Sequence, residues 1–131
     1  MAIENLVTGI QHIGIPTGDY EKTVSFFKSL GFKEAYTRVN EQKQKMAFLK
    51  LKNIIIETYE RDDTAMEPGA IDHIAIDVSD IEAAYDEVRK LGYTAVEDGI
   101  KELPLWEHGV RWFTIVGPNK EKVEFNQMLR R

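Results

Sequence analysis

The stretch Ile71-Asp72-His73-Ile74-Ala75-Ile76-Asp77-Val78 has a counterpart 61 positions earlier, Ile10-Gln11-His12-Ile13-Gly14-Ile15-Pro16-Thr17. At the same offset, and without a gap, Asp19 matches Asp80, Glu21 matches Glu82, Leu30 matches Leu91, Gly31 matches Gly92 and Phe32 matches Tyr93. An internal repeat of this kind constrains the fold more than any single motif. One copy of roughly 60 residues buries little core by itself, so the sheets of the two copies are expected to pair edge to edge. Each copy places one histidine at the same point of a strand.

The alternation of residues 9–17 puts Ile13 and Ile15 on one face and His12 and Gly14 on the other, as in a half-buried strand. Asp19 is the expected N-cap of a helix over about 20–30, in which Tyr20, Val24 and Phe27 form the apolar stripe and Gly31 supplies the left-handed C-terminus. Extended runs follow near 32–39, 45–51 and 53–60, and Arg61 to Ala70 reads as a connector. The pattern then restarts. Residues 71–78 are a strand, Ser79-Asp80-Ile81-Glu82 has the form of a capping box, and Ile81, Tyr85 and Val88 line the second helix up to Gly92. A strand from about 93 leads into a longer connection, Glu97 to Gly109, with Pro104, Leu105, Trp106 and His108. Arg111 to Val116 and Lys122 to Met128 are the last strands, joined by a tight turn at Gly117-Pro118-Asn119-Lys120.

The expected architecture is α+β: one domain over 1–131, made of two tandem βαβββ units (about 8–60 and 70–128). The units are expected to form a curved eight-stranded sheet with helices on its outer face and an open cleft inside, into which His12 and His73 point.

Composition removes several classes of function. The 131 residues include no cysteine, which excludes disulfides, zinc-thiolate sites and a cysteine nucleophile. A net charge of -5, from 22 acidic and 17 basic residues, argues against a nucleic-acid surface. No window approaches the roughly 20 apolar residues of a membrane span, and Met1 to Leu6 lack the form of a secretory signal, so a cytoplasmic protein without membrane partners is expected.

The fourth strands correspond as well, Ile54-Ile55-Ile56-Glu57 with Glu121-Lys122-Val123-Glu124, now 67 positions apart. Glu57 shares its face with Ile55 and Tyr59, and Glu124 shares its face with Lys122 and Asn126. An ionised carboxylate in so apolar a strand costs several kcal/mol unless it is paired, hydrogen-bonded or bound to a cation. Two neutral imidazoles and two carboxylates carry a charge of about -2, suited to one divalent ion with positions left for water or substrate. A lone histidine in an apolar strand is ordinarily a core or surface residue; it is the duplication of both residue types that makes His12, Glu57, His73 and Glu124 the candidate ligands. Tyr59, Trp106 and Asn126 are the candidate substrate contacts, although Tyr59 and Trp106 also fit as packing residues.

These residues, together with Ser25-Phe26-Phe27-Lys28-Ser29-Leu30-Gly31-Phe32 and Gly117-Pro118-Asn119-Lys120-Glu121-Lys122-Val123-Glu124-Phe125, resemble the vicinal oxygen chelate superfamily. This is the fold of glyoxalases, bleomycin-resistance proteins and dioxygenases, and the resemblance covers residues 8–128. It implies four metal positions at His12, Glu57, His73 and Glu124, filled as in glyoxalase I (lactoylglutathione lyase)-like proteins. It also implies one divalent ion (Ni, Co, Zn or Mn), a small vicinal-oxygen substrate such as a hydroxy-carbonyl compound or hemithioacetal, a lyase or isomerase reaction through an enediolate, and a homodimer. A glutamate ligand would act as the base, Glu124 first and Glu57 second. Bacterial members that use glutathione carry an arginine and an asparagine where this chain has Pro16 and Arg61, so the expected glutathione contacts are missing. The alternatives are an epimerase of the same superfamily and a non-catalytic binding protein of the bleomycin-resistance type.

Overall fold

The computed structural model describes residues 2–118 and 121–130, so Asn119 and Lys120 of the expected tight turn lie outside the described residues. The elements are α1 (Ile3–Leu6), β1 (Val7–Thr17), α2 (Tyr20–Ser29), β2 (Lys33–Val39), β3 (Lys45–Leu51), β4 (Ile54–Glu60), β5 (His73–Val78), α3 (Ile81–Lys90), β6 (Lys101–Leu103), β7 (Val110–Val116) and β8 (Lys122–Met128). The fold is α+β, and among the described residues the two βαβββ repeats supply eight strands in the order β2-β3-β4-β1-β5-β8-β7-β6. None of the described helices is long and apolar enough to cross a membrane.

The chain divides into two compact units, residues 12–72 and residues 1–11 with 73–131. The boundary falls inside β1, between Gln11 and His12, so the start of the first repeat is grouped with the second. One cause is visible: Leu6 is 3% exposed in the core of the second unit, where its carbonyl accepts the Ser79 N–H at 3.0 Å. The short α1 that carries Leu6 has too few residues to leave a periodic signal in the sequence.

In the unit of residues 12–72, β1 runs parallel to β4, and β3 lies antiparallel to both β4 and β2. Ile13, Ile15, Ala47, Leu49 and Ile56 pack with Val24 and Phe27 of α2, so the strand alternation predicted for β1 holds. In the other unit β5 runs parallel to β8, β7 is antiparallel to β8, and Val78, Phe113 and Phe125 pack with Ile81, Ala84 and Val88 of α3.

Both longer helices begin and end alike. Asp19 accepts the Lys22 N–H and Asp80 accepts the Ala83 N–H, each at 3.1 Å. At the far ends Gly31 (φ +105°) and Gly92 (φ +97°) turn the chain left-handed, and the N–H groups of Phe32 and Tyr93 return to the carbonyls of Phe27 and Val88. The capping box expected at Ser79 is corrected by this geometry: Asp80 is the cap, and the Ser79 hydroxyl donates to the Leu6 carbonyl instead.

The strand expected from about 93 is also corrected. Residues 93–100 are irregular, and the edge strand β6 comes later, at Lys101–Leu103. Val96 does donate to the Thr114 carbonyl of β7 at 2.7 Å, but the Thr114 N–H is taken by the Glu97 carboxylate at 2.7 Å. A side chain thus takes the donor that a strand at this position would need for its ladder.

Candidate metal centre

Each unit brings its own histidine and glutamate together. In the unit of residues 12–72, the parallel register sets Gly14 opposite Glu57, and the His12 Nε2 lies 3.4 Å from the Glu57 Oε1. In the other unit Ala75 lies opposite Glu124, and the His73 Nε2 is 3.6 Å from the Glu124 Oε1. The small residue, the parallel pairing and the imidazole–carboxylate spacing are therefore repeated. All four side chains are largely withdrawn from water, with His12 at 3%, Glu57 at 16%, His73 at 9% and Glu124 at 13% exposure.

The spacing suits metal donors. Nitrogen and oxygen ligands at about 2.0–2.2 Å from an ion, separated by tetrahedral or octahedral angles, stand about 2.8–3.6 Å apart. The donor atoms of each pair fall inside or at the edge of that range. A neutral imidazole beside a carboxylate also supplies the nitrogen and oxygen donors that divalent transition metals take when thiolates are absent.

The surroundings of the two pairs differ. Phe48, opposite Glu57 in the pairing of β3 with β4, sets its ring edge-on to the His12 imidazole at 5.3 Å, with Tyr36 beyond it at 6.3 Å. The first pair therefore has an aromatic wall. Opposite Glu124 the cross-strand residue is Thr114, and the Asn126 Nδ2 donates to the Glu124 Oε2 at 2.9 Å. The second pair is built into polar surroundings.

The candidate substrate contacts occupy distinct places. Asn126 is 4% exposed and is engaged with Glu124 on one side and Gln11 on the other. Tyr59 is two residues beyond Glu57 on the same face. Burial, with Asp72 next in effect, pushes its phenol well above the usual tyrosine range, and Arg61 hydrogen-bonds it. Trp106 sits at φ +61° in the loop before β7 and borders an open hollow of about 740 Å³ that Thr8, Asp77, His108 and Met128 also line. His108 is exposed, 3.7 Å from the carboxylate of Glu107.

Arg61, at the position where the resemblance implies a glutathione-contacting asparagine, is committed within its own unit. Its Nε and Nη2 donate to the two oxygens of Asp63 at 3.0 and 3.2 Å, and its Nη1 donates to Asp72 at 3.3 Å.

Thr8, Gln11 and Asp77 escaped the sequence reading. Gln11 donates to Asp77 and to Asn126, and Thr8 donates to Asp77. One signal was present: Asp77 is a carboxylate inside an otherwise apolar strand, four residues after His73 and on the same face.

Comparison with known proteins places these features in a family. Residues 9–101 match the model of the Glyoxalase/Bleomycin resistance protein/Dioxygenase superfamily. A curated relative, the uncharacterized protein YwbC of Bacillus subtilis, is 29% identical over 127 residues, which is 90% of this chain and 96% of that protein. Among solved structures, methylmalonyl-CoA epimerase from Mycobacterium tuberculosis superimposes with a TM-score of 0.77 at 21% identity, covering 95% of this chain and 91% of that one. The Mn(II)-bound glyoxalase from Novosphingobium aromaticivorans gives a TM-score of 0.66 at 20% identity, covering 93% of this chain and 39% of that one.

Proposed function

The chain belongs to the Glyoxalase/Bleomycin resistance protein/Dioxygenase superfamily, and on that premise we propose that it is a divalent-metal-dependent lyase or isomerase of the glyoxalase I type. Its substrate is a small compound with neighbouring oxygens, of the hydroxy-carbonyl or hemithioacetal class. The observation that carries this reading is the repeated pair: a buried imidazole nitrogen and the oxygen of a half-buried carboxylate stand 3.4 Å apart in one unit and 3.6 Å apart in the other.

His12, Glu57, His73 and Glu124 would hold one ion (Ni, Co, Zn or Mn), with the two pairs drawn from one chain or from two chains of a homodimer. When bound, a divalent cation polarises a carbonyl and lowers the barrier to removing the proton on the neighbouring carbon. The chain's own residues then move that proton. Glu124, swung out of its ligand position, would accept it at Oε1, the oxygen beside His73, while Oε2 stays hydrogen-bonded to Asn126. Returning the proton to the adjacent carbon completes an isomerisation. An epimerisation would need a second acid, for which Glu57 is the candidate, to protonate the same carbon from its other face while Glu124 keeps the proton it took. Glu57 is the second candidate for the base. Gly14 and Ala75 leave room beside the carboxylates, and Trp106 and Tyr59 are the proposed substrate contacts. With Arg61 committed to Asp63 and Asp72, a substrate without glutathione is favoured.

The test begins with elemental analysis of untagged protein purified without chelator, beside His73→Ala. About one metal per chain in the wild type, lost in the variant, supports the reading. Metal-free wild type that takes up neither nickel, zinc nor manganese overturns it in favour of a binding protein. Deuterium uptake from D2O next to the carbonyl of hydroxy-carbonyl and acyl-thioester compounds then detects the proton transfer, the product's identity as a constitutional isomer or an epimer separates isomerase from epimerase, and light scattering checks for the dimer mass.

A further inference from the structure

The second unit contains a chain of side-chain hydrogen bonds with only one consistent direction. The Thr8 hydroxyl donates to the Asp77 Oδ2 at 2.6 Å, and the Gln11 Nε2 donates to the Asp77 Oδ1 at 2.9 Å. The same Gln11 amide donates its other hydrogen to the Asn126 Oδ1 at 2.9 Å, and the Asn126 Nδ2 donates to the Glu124 Oε2 at 2.9 Å. Both ends are carboxylates, which only accept when ionised. Asp77 therefore fixes which end of the Gln11 amide faces it. Gln11 in turn presents only N–H to Asn126, and Asn126 is left with only N–H to offer Glu124.

We propose that Asn126 is a positioning residue for Glu124, set in its donating orientation by Gln11 and Asp77, so that Glu124 is presented to the metal through Oε1 alone. The inference rests on the reading of Glu124 as a ligand and assigns what holds it there. Gln11 and Asn126 are 7% and 4% exposed, so the central link is shielded from competing water. The arrangement is specific to one half of the repeat. The counterparts of Asp77 and Asn126 are Pro16 and Tyr59, which are paired with each other in the same register but contain neither the carboxylate nor the amide that the relay needs.

The test combines zinc affinity, by competition with a chromophoric chelator, with the side-chain amide NMR signals of Asn126. Asp77→Ala, at the outer end of the relay, is expected to weaken zinc binding about 10- to 100-fold, the range for outer partners of metal ligands. Gln11→Glu is isosteric and reverses the relay, because a carboxylate at this place accepts and turns the carbonyl of Asn126 toward Glu124. It should weaken zinc at least as much as Asn126→Ala, a result that loss of packing would not produce. The surface variant Glu41→Ala should bind zinc as the wild type does. Unchanged affinity in both Asp77→Ala and Gln11→Glu overturns the proposal. If the wild type itself takes up no zinc, the ligand reading fails separately. The relay is then judged by NMR: it stands if Asp77→Ala shifts the Asn126 amide signals and speeds their exchange, and falls if they are unchanged.

Discussion

Ala75 lies directly across from Glu124 in the parallel pairing of β5 with β8, the place that Gly14 holds across from Glu57 in the pairing of β1 with β4. Ala75 is fully buried, so a larger side chain must displace something. Ala75→Leu is expected to cost about 1–3 kcal/mol through overpacking and to lower metal uptake by crowding the carboxylate. Thermal melts with and without nickel check this. A variant that still gains the wild-type increment in melting temperature from nickel would show that the small residue does not matter to the site.

The two glutamates can be tested without disturbing packing. Glu57→Gln and Glu124→Gln keep the shape and remove the charge, and each should weaken zinc by more than the roughly 10- to 100-fold expected of an outer partner. Circular dichroism should show both variants folded. Zinc titration is the measurement, and wild-type affinity in either variant removes that residue from the ligand set.

The sequence carried most of what positions the candidate site, because a repeat records geometry twice. Asp19 and Asp80 fall at the same offset as His12 and His73, and both cap helices; Gly31 and Gly92 both turn left-handed after them. The capping-box pattern at Ser79 misled because it matched a general motif where the repeat itself already pointed to Asp80. What the sequence could not carry was long-range. The Glu97 side chain takes a ladder donor from Thr114, and Gln11 reaches Asn126 over 115 positions; neither leaves a periodic trace near its own place in the chain. The grouping of residues 1–11 with the second unit has the same origin, since Leu6 is buried by residues more than 70 positions away.

The identity of the α3 cap gives a stability prediction. Asp80→Ala removes the acceptor for the Ala83 N–H and should cost about 1 kcal/mol. Ser79→Ala loses only a 3.4 Å hydroxyl contact to the Leu6 carbonyl and should cost less than half as much. Urea denaturation of the two variants decides the order. A larger loss for Ser79→Ala would restore the capping-box reading.

Phe113 is fully buried, stacked on Phe125 at 5.1 Å and met edge-on by Tyr85 at 5.1 Å. Phe113→Ala is expected to cost about 3–5 kcal/mol, from lost burial and the cavity left behind. The melting temperature should fall by roughly 10 °C or more. A loss below about 1 kcal/mol would mean that Tyr85 and Phe125 close over the space.

The Arg61–Asp63 pair sets a pH dependence whose sign follows from its geometry. The Arg61 guanidinium donates to both Asp63 oxygens and holds that carboxyl below the usual aspartate range. A carboxyl with a depressed folded-state pKa stabilises the fold above its unfolded value of 3.8, and the contribution fades as pH falls through the lower folded value. The pair is exposed to solvent, so the effect is small and weakens with salt. In Arg61→Gln the Asp63 titration should move up toward 3.8. Carboxyl 13C NMR from about pH 2 to 6, the range that brackets ordinary carboxylates, measures the midpoint. The same midpoint in wild type and variant would show that Arg61 does not set the charge of Asp63, and that its guanidinium is available to other partners.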